Sequence, residues 1–232
     1  MDSGDEGLDV VTFGKDLIQQ PTLKPAGVTS VDFDGLLDPP LKLHEDLKEG
    51  CGGQLWPAGM VLAKYMLRMH KETIKGKTIV ELGAGGGLVG LAIALAFPNF
   101  QKPLLLTDQL PMLSLMRTNI ALNSLQSSVE AVIYDWGEAP PADIPQHPEI
   151  LLAAECVYFE PAFPLLLQTL KDLIGENTVC FFCFKKRRRA DMGFVKLMKK
   201  SFDVKVVEDD PDKVKWSREN LHMFEVRTKK KI

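Results

Sequence analysis

Residues 79–91 read IVELGAGGGLVGL, an apolar run carrying one acid, Glu81, and then five glycines between positions 83 and 90. Such a turn lets the backbone approach a ligand closely and presents it to the amino-terminal N–H groups of the helix that follows. Two ligand chemistries fit. Gly85, Gly87 and Gly90 have the G-x-G-x-x-G spacing of a dinucleotide site. Gly83, Gly85 and Gly87, with an acid two residues ahead, equally suit a nucleoside sulfonium. The glycines alone do not choose between them.

Three further segments carry chemistry. Asp108 closes the apolar run LLLTD, where a carboxylate can accept from both hydroxyls of a ribose; the alternative is an N-cap for the next helix. In YDWG (134–137) a carboxylate and an indole suit an adenine, the acid accepting from its amino group and Trp136 covering the ring. Packing on the core is the alternative for Trp136, as it is for Trp56 at the head of a helix. In AECVY, Glu155 and Tyr158 form an acceptor pair that can orient a hydrogen-bond donor; a helix-capping acid and a packed tyrosine are the alternative. Lys185, Lys186, Arg187, Arg188 and Arg189 then follow in one run. Such a run is usually a solvated loop and sometimes a nucleic-acid or nuclear-localisation patch. Beside a site it can also dock a protein substrate.

The elements that must position these residues alternate. Strands are expected at 78–82, 103–108, 129–136, 149–155 and 178–184, and helices at 57–71, 87–97, 110–125, 161–174 and 191–201, with a proline-rich loop at 139–148. This order predicts an α/β, doubly wound parallel sheet with the ligand at the carboxyl ends of its strands. Two β-rich runs, 202–208 and 221–228, have no helical segment between them and should form an antiparallel edge pair. We divide the chain into an extension, 1–50, with short strands at 8–13 and 27–34 that form a hairpin or edge strands, and one domain, 51–232.

Composition narrows the class. The 232 residues are 45% hydrophobic and 25% charged with a net charge of −3, ordinary for a soluble globule and too mild for a dedicated nucleic-acid or membrane binder. The longest apolar run, 88–97, falls far short of the roughly 20 residues of a membrane span. MDSGDEG does not read as a leader. Four cysteines suggest a reducing compartment, and Cys180 and Cys183, three apart in a strand, should face opposite sides as core residues rather than form a redox pair. We take the protein as cytoplasmic and monomeric, with no metal.

GGQLWPAG, VELGAGGGLVGL, LLLTDQ, YDWGE and LLAAECVYFEPAFPLLLQTL occur in this order over residues 50–228. Together they resemble family 16 of the seven-β-strand, S-adenosylmethionine-dependent protein-lysine methyltransferases. The resemblance implies a seven-stranded Rossmann-like sheet, with Trp56, Gly83, Ala84, Gly85, Asp108, Trp136 and Ala154 at the cofactor, and turns the Gly85–Gly90 spacing into helix packing. The family's usual D-x-x-Y is here Glu155-Cys156-Val157-Tyr158, whose carboxylate reaches about 1.5 Å further. The basic run, AECVYFEPAFPLLLQTLKDL and RENLHMFEV most resemble the fungal branch acting on elongation factor 1A. Rival functions fit less well. A nucleic-acid amino-methyltransferase would carry N/D-P-P-Y/F where AECVYF stands, a binding-only relative of the fold would be expected to lose the glycine turn or Asp108, and a nicotinamide dehydrogenase leaves YDWG unexplained.

Overall fold

The computed structural model describes residues 26–47, 51–98 and 102–229; the expected strand at 8–13 lies outside them. The chain runs β1 (Gly27–Val31), β2 (Leu41–Glu45), α1 (Pro57–Met69), β3 (Ile79–Leu82), α2 (Leu88–Ala96), β4 (Leu104–Asp108), α3 (Leu110–Leu122), β5 (Val129–Ile133), β6 (Ile150–Ala154), α4 (Phe163–Leu173), β7 (Val179–Lys185), α5 (Arg189–Ser201), β8 (Phe202–Val206), α6 (Lys213–Arg218) and β9 (Leu221–Thr228). Seven strands form one sheet in the order β5-β4-β3-β6-β7-β9-β8. The first five are mutually parallel, and β9 runs against both β7 and β8.

Covering a parallel sheet on both faces makes its central strands apolar throughout. All four residues of β3 are buried, including Glu81. One core layer joins the sheet to α1, α2 and α3, and the other joins it to α4 and α5. Helix α2 lies within the first layer and buries every residue from Leu88 to Ala94. Pro57 occupies the first turn of α1, where its missing N–H costs no bond. Gly90 packs where a Cβ would stand 2.5 Å from Leu106 of β4, which makes it a helix–sheet contact. Cys183 faces the first layer and Cys180 the second, both fully buried, so the pair points to opposite faces.

Three local expectations change. The strand at 27–31 pairs with 41–45, a hairpin partner the sequence reading passed over although LKLHE alternates. Strand β5 stops at Ile133, which leaves YDWG in the turn beyond it. Between β8 and β9 the six-residue α6 does form, held by Trp216, whose Nε1 donates to Asp210 Oδ2 at 2.9 Å. The pairing of β8 with β9 is antiparallel, as expected.

The β1–β2 hairpin shares the first core layer. Leu41 and Leu43 are buried against α2 and α3, and the side chains of Asn119 on α3 and Asn123 at its C-cap bind the backbone of His44 and Lys42. Among the described residues no helix is long and apolar enough to cross a membrane. Leu43→Ala should therefore destabilise the whole protein by about 2–5 kcal/mol. Urea unfolding followed by both circular dichroism and tryptophan fluorescence should show one shifted transition. Two separate transitions would mean that the hairpin folds as an independent unit.

Candidate functional site

From β3 the chain steps outward to β4 and β5, then returns to β6 on the other side of β3. This reversal opens a crevice at the carboxyl ends of β3 and β6, the place where open α/β sheets bind ligands. A cavity of about 740 Å³ lies there.

Its floor is the glycine turn. Gly83 and Gly85 both have positive φ, +59° and +54°, which side-chain-bearing residues rarely adopt. Space forbids a side chain as well: a Cβ on Gly83 would lie 2.9 Å from Trp136 Cζ2, and one on Gly85 would lie 2.4 Å from the Gly52 carbonyl oxygen. Asp108 faces the same turn. Its Oδ2 accepts from Gly85 N and its Oδ1 from Gln109 N, each at 2.7 Å. The N-cap of α3 is Gln109, so Asp108 serves the glycine turn rather than capping that helix. Burial raises the Asp108 pKa, and the two backbone N–H groups oppose that rise.

Glu81 is the acid within β3, only 3% exposed. Its Oε2 accepts from Gly90 N at 2.7 Å, so it caps the first turn of α2. Burial outweighs that hydrogen bond and pushes its pKa up to about 8. The sequence shows this acid but not its role.

Trp136 is half-buried, packs on the second core layer and also lines the cavity. Ala84 and Ala154 line the cavity too. Trp56 is the N-cap residue of α1 at the same cavity. On the β6 side Glu155 is 7% exposed and takes the left-handed φ of +58°, unusual for a residue with a side chain. Its Oε2 accepts from Arg187 Nη1 at 2.7 Å, and its Oε1 accepts from Arg187 Nη2 at 3.4 Å and from Ala58 N at 3.3 Å. The Arg187 guanidinium also lies 5.2 Å from the centre of the Trp56 ring. Glu155 thus binds the first turn of α1 and faces the cavity at once. Tyr158 stands at the mouth, 54% exposed, beside the equally exposed Phe159.

The five cations do not form one free cluster. Arg187 is held by Glu155, and the buried Asp191 accepts from Arg187 N and Arg188 N, both at 2.8 Å, and from Arg188 Nη2 at 2.9 Å. Lys186 is exposed in the loop, Arg189 is exposed at the start of α5, and Lys185 ends β7.

Two contributors escaped the sequence reading. Leu43–Glu45 and Gly52–Leu55 wall the cavity opposite the sheet, joined by Leu55 N to Glu45 Oε2 at 3.2 Å and Asp46 N to Gly53 O at 3.0 Å. Asn119, fully buried on α3, accepts from His44 N at 2.7 Å and donates to Gly86 O at 2.9 Å, joining that wall to the glycine turn. The doubled glycine of CGGQLW was a signal for the first. Asn119 gave none.

Comparison with known proteins gives concordant results. Residues 36–201 match a family described as lysine methyltransferase. The chain is 36% identical to the protein-lysine N-methyltransferase EFM6 of Saccharomyces cerevisiae, over 92% of this chain and 96% of that one. It is 32% identical to the protein N-lysine methyltransferase METTL21A of Danio rerio, over 88% and 90%. It is also 32% identical to EEF1A lysine methyltransferase 3 of Xenopus tropicalis, over 62% of each. Among solved structures it resembles a ribosomal protein L11 methylase from Lactobacillus delbrueckii subsp. bulgaricus, with TM-score 0.50, 17% identity and 75% and 79% of the two chains covered. The mitomycin 7-O-methyltransferase MmcR gives TM-score 0.54 at 15% identity, over 74% of this chain and 53% of that one. These two likenesses bear on the fold, a Rossmann-like methyltransferase sheet.

The buried acid of β3 has a measurable consequence. Since the folded-state pKa of Glu81 lies above its ordinary 4.5, folding favours the protonated form. Its contribution to stability is complete below about pH 4.5 and is lost as pH rises through about 8. Glu81→Gln keeps an acceptor for Gly90 N but cannot ionise. Its melting temperature should decline less between pH 5 and 9 than that of the ligand-free parent. Parallel declines would assign the loss to other groups.

Proposed function

We propose, from the premise that the chain belongs to the lysine methyltransferase family, that it transfers a methyl group from S-adenosylmethionine to a lysine side chain of translation elongation factor 1A. It is a protein-lysine N-methyltransferase; the donor, the residue roles and the substrate are the parts proposed. The observation that carries the reading is that the glycine turn, Asp108, Trp136 and Glu155 surround one cavity at the strand-order reversal. The donor fits this cavity on chemical grounds. The bare backbone of Gly83, Ala84 and Gly85 admits a close ligand, Asp108 is an acceptor for ribose hydroxyls, and Trp136, Trp56 and Ala154 offer apolar walls.

When bound, S-adenosylmethionine supplies a methyl group already activated by its sulfonium. The protein's own residues must then hold a neutral amine in line with it, so orientation is the main catalytic contribution. A lysine amine, with an ordinary pKa of about 10.4, has to shed a proton first, and a dry mouth favours the loss. Tyr158 and Glu155 orient the amine there. Lys185, Lys186, Arg187, Arg188 and Arg189 form the rim that meets the substrate; Arg187 and Arg188 are engaged by carboxylates, and Lys186, Arg187, Arg188 and Arg189 are all exposed there. Elongation factor 1A is supported by the relative named for EEF1A lysine methylation and by the likeness of the basic run and flanking motifs to the fungal branch. We read the protein as a cytoplasmic monomer.

Incubation of the purified protein with labelled S-adenosylmethionine and elongation factor 1A should label one lysine of that factor. If only a different protein band of a lysate from a strain lacking this gene is labelled, the substrate assignment falls while the activity stands. Asp108→Ala removes charge-assisted hydrogen bonds of about 1.5–3 kcal/mol each. Calorimetry should therefore show at least about tenfold weaker donor binding with the circular dichroism spectrum unchanged. Unaltered binding by the folded variant would rule Asp108 out as a donor contact.

A further inference from the structure

The clasp between Arg187 and Glu155 raises a question of charge. A buried carboxylate beside the amine site would hold an incoming lysine as ammonium, the form that cannot react. Glu155 is almost fully buried, yet a guanidinium approaches both of its oxygens, at 2.7 and 3.4 Å. The same guanidinium lies over Trp56, and all three side chains line the cavity. The position is fixed from two sides. Asp191 anchors the Arg187 backbone N–H, and Ala58 N–H in the first turn of α1 anchors Glu155 Oε1.

We propose that Arg187 is a positioning residue that neutralises Glu155, so that the target lysine enters the mouth and is held there as the free amine. Its role rests on the methyltransferase reading of this cavity and adds to it the protonation state of the substrate. The sheet order supports a division of labour. Asp108 on β4 and Glu155 beyond β6 lie on opposite sides of the glycine turn that ends β3, which separates a donor end from an amine end. At the amine end Trp56, which the Arg187 guanidinium overlies, lines the same cavity as Tyr158 and Phe159, and the burial of Glu155 magnifies any uncompensated charge there.

Among the described residues, the other ionisable groups of the lining do not supply the compensation. Glu81 is spent on capping α2, and Asp108 on the glycine turn. Asp135, Glu138, His44 and Glu45 line the walls formed by the YDWG turn and β2. The Cys156 and Cys183 thiols beside Glu155 are pushed well up by burial and stay uncharged. Arg187 is therefore the cation that answers Glu155. With the pair intact, the amine meets no net negative charge on this side, and its proton passes to water before transfer.

A donor analogue with nitrogen in place of the sulfonium and a ¹⁵N-labelled aminoalkyl arm places an amine at this point without turnover. Its ¹⁵N shift, followed against pH in the complex, reads the arm's pKa. Arg187→Met leaves Glu155 unopposed and should raise that pKa by about one unit or more over the parent complex. Glu155→Gln leaves the cation unopposed and should lower it. The double variant Glu155→Gln with Arg187→Met removes both charges and should return the value to that of the parent, a recovery that a purely structural strut would not give. The rising limb of the pH profile of kcat/KM for elongation factor 1A should move in the same three directions. Equal arm pKa values in parent and Glu155→Gln, or a double variant that fails to recover, would overturn the proposal, and neither comparison needs Arg187→Met to fold. If the parent binds the analogue but does not methylate elongation factor 1A, only the substrate assignment fails. A parent that does not bind the analogue refutes both the donor site and this inference.

Discussion

The constraint on which this molecule is built is the double left-handed turn that ends β3. Two residues, Gly83 and Gly85, must adopt positive φ while an indole presses on one and a backbone carbonyl on the other. Any side chain at either place would push Trp136 or the turn at Gly52 away, and both belong to the cavity wall. The turn also aims the first N–H groups of α2, one of which is taken by Glu81 from below. The crevice, its floor and its polar lining all descend from this short stretch. Reversal of the strand order at β3 then makes the stretch accessible.

Asn119 shows how the rest is tied to that turn. A single carboxamide links the β2 backbone to the carbonyl of Gly86, so the hairpin, the α3 helix and the glycine turn share one polar contact inside an apolar layer. A buried amide left unpartnered would be costly, which fixes the register of the hairpin against the helix. The hairpin is thus part of the ligand-binding half of the molecule, because β2 and the segment from Gly52 to Leu55 close the side of the cavity that the sheet leaves open.

Much of this was legible from sequence for reasons that can be named. Buried parallel strands read as unbroken apolar runs, so IVEL, LLLTD and VCFFCF stood out, and the acids ending or interrupting them marked the ligand end. The hairpin partner LKLHE was missed because five alternating residues between prolines and charges are a weak signal. Helix α6 was missed because KVKWSR shows one apolar side chain directed inward, too few for a period. The clasp of Glu155 by Arg187 joins residues 32 positions apart in different elements, and nothing local in either segment announces it. The basic run looked like a uniform patch of charge, whereas two of its arginines are held by Glu155 and Asp191.

The buried thiols carry a last consequence. Cys156 lies against Gly83 and donates to Leu82 O at 3.4 Å, while Cys183 O accepts the backbone N–H of Glu155. Both side chains are fully enclosed and held as thiols, the form that reacts poorly with alkylating reagents. Modification at either one therefore requires the local structure to open, and its rate counts those openings. Cys156 gauges breathing of the floor and Cys183 that of the neighbouring strand. These two thiols thus act as internal clocks, one at the floor of the crevice and one in the strand beside β6, for the fluctuations that any molecule entering the crevice has to wait for.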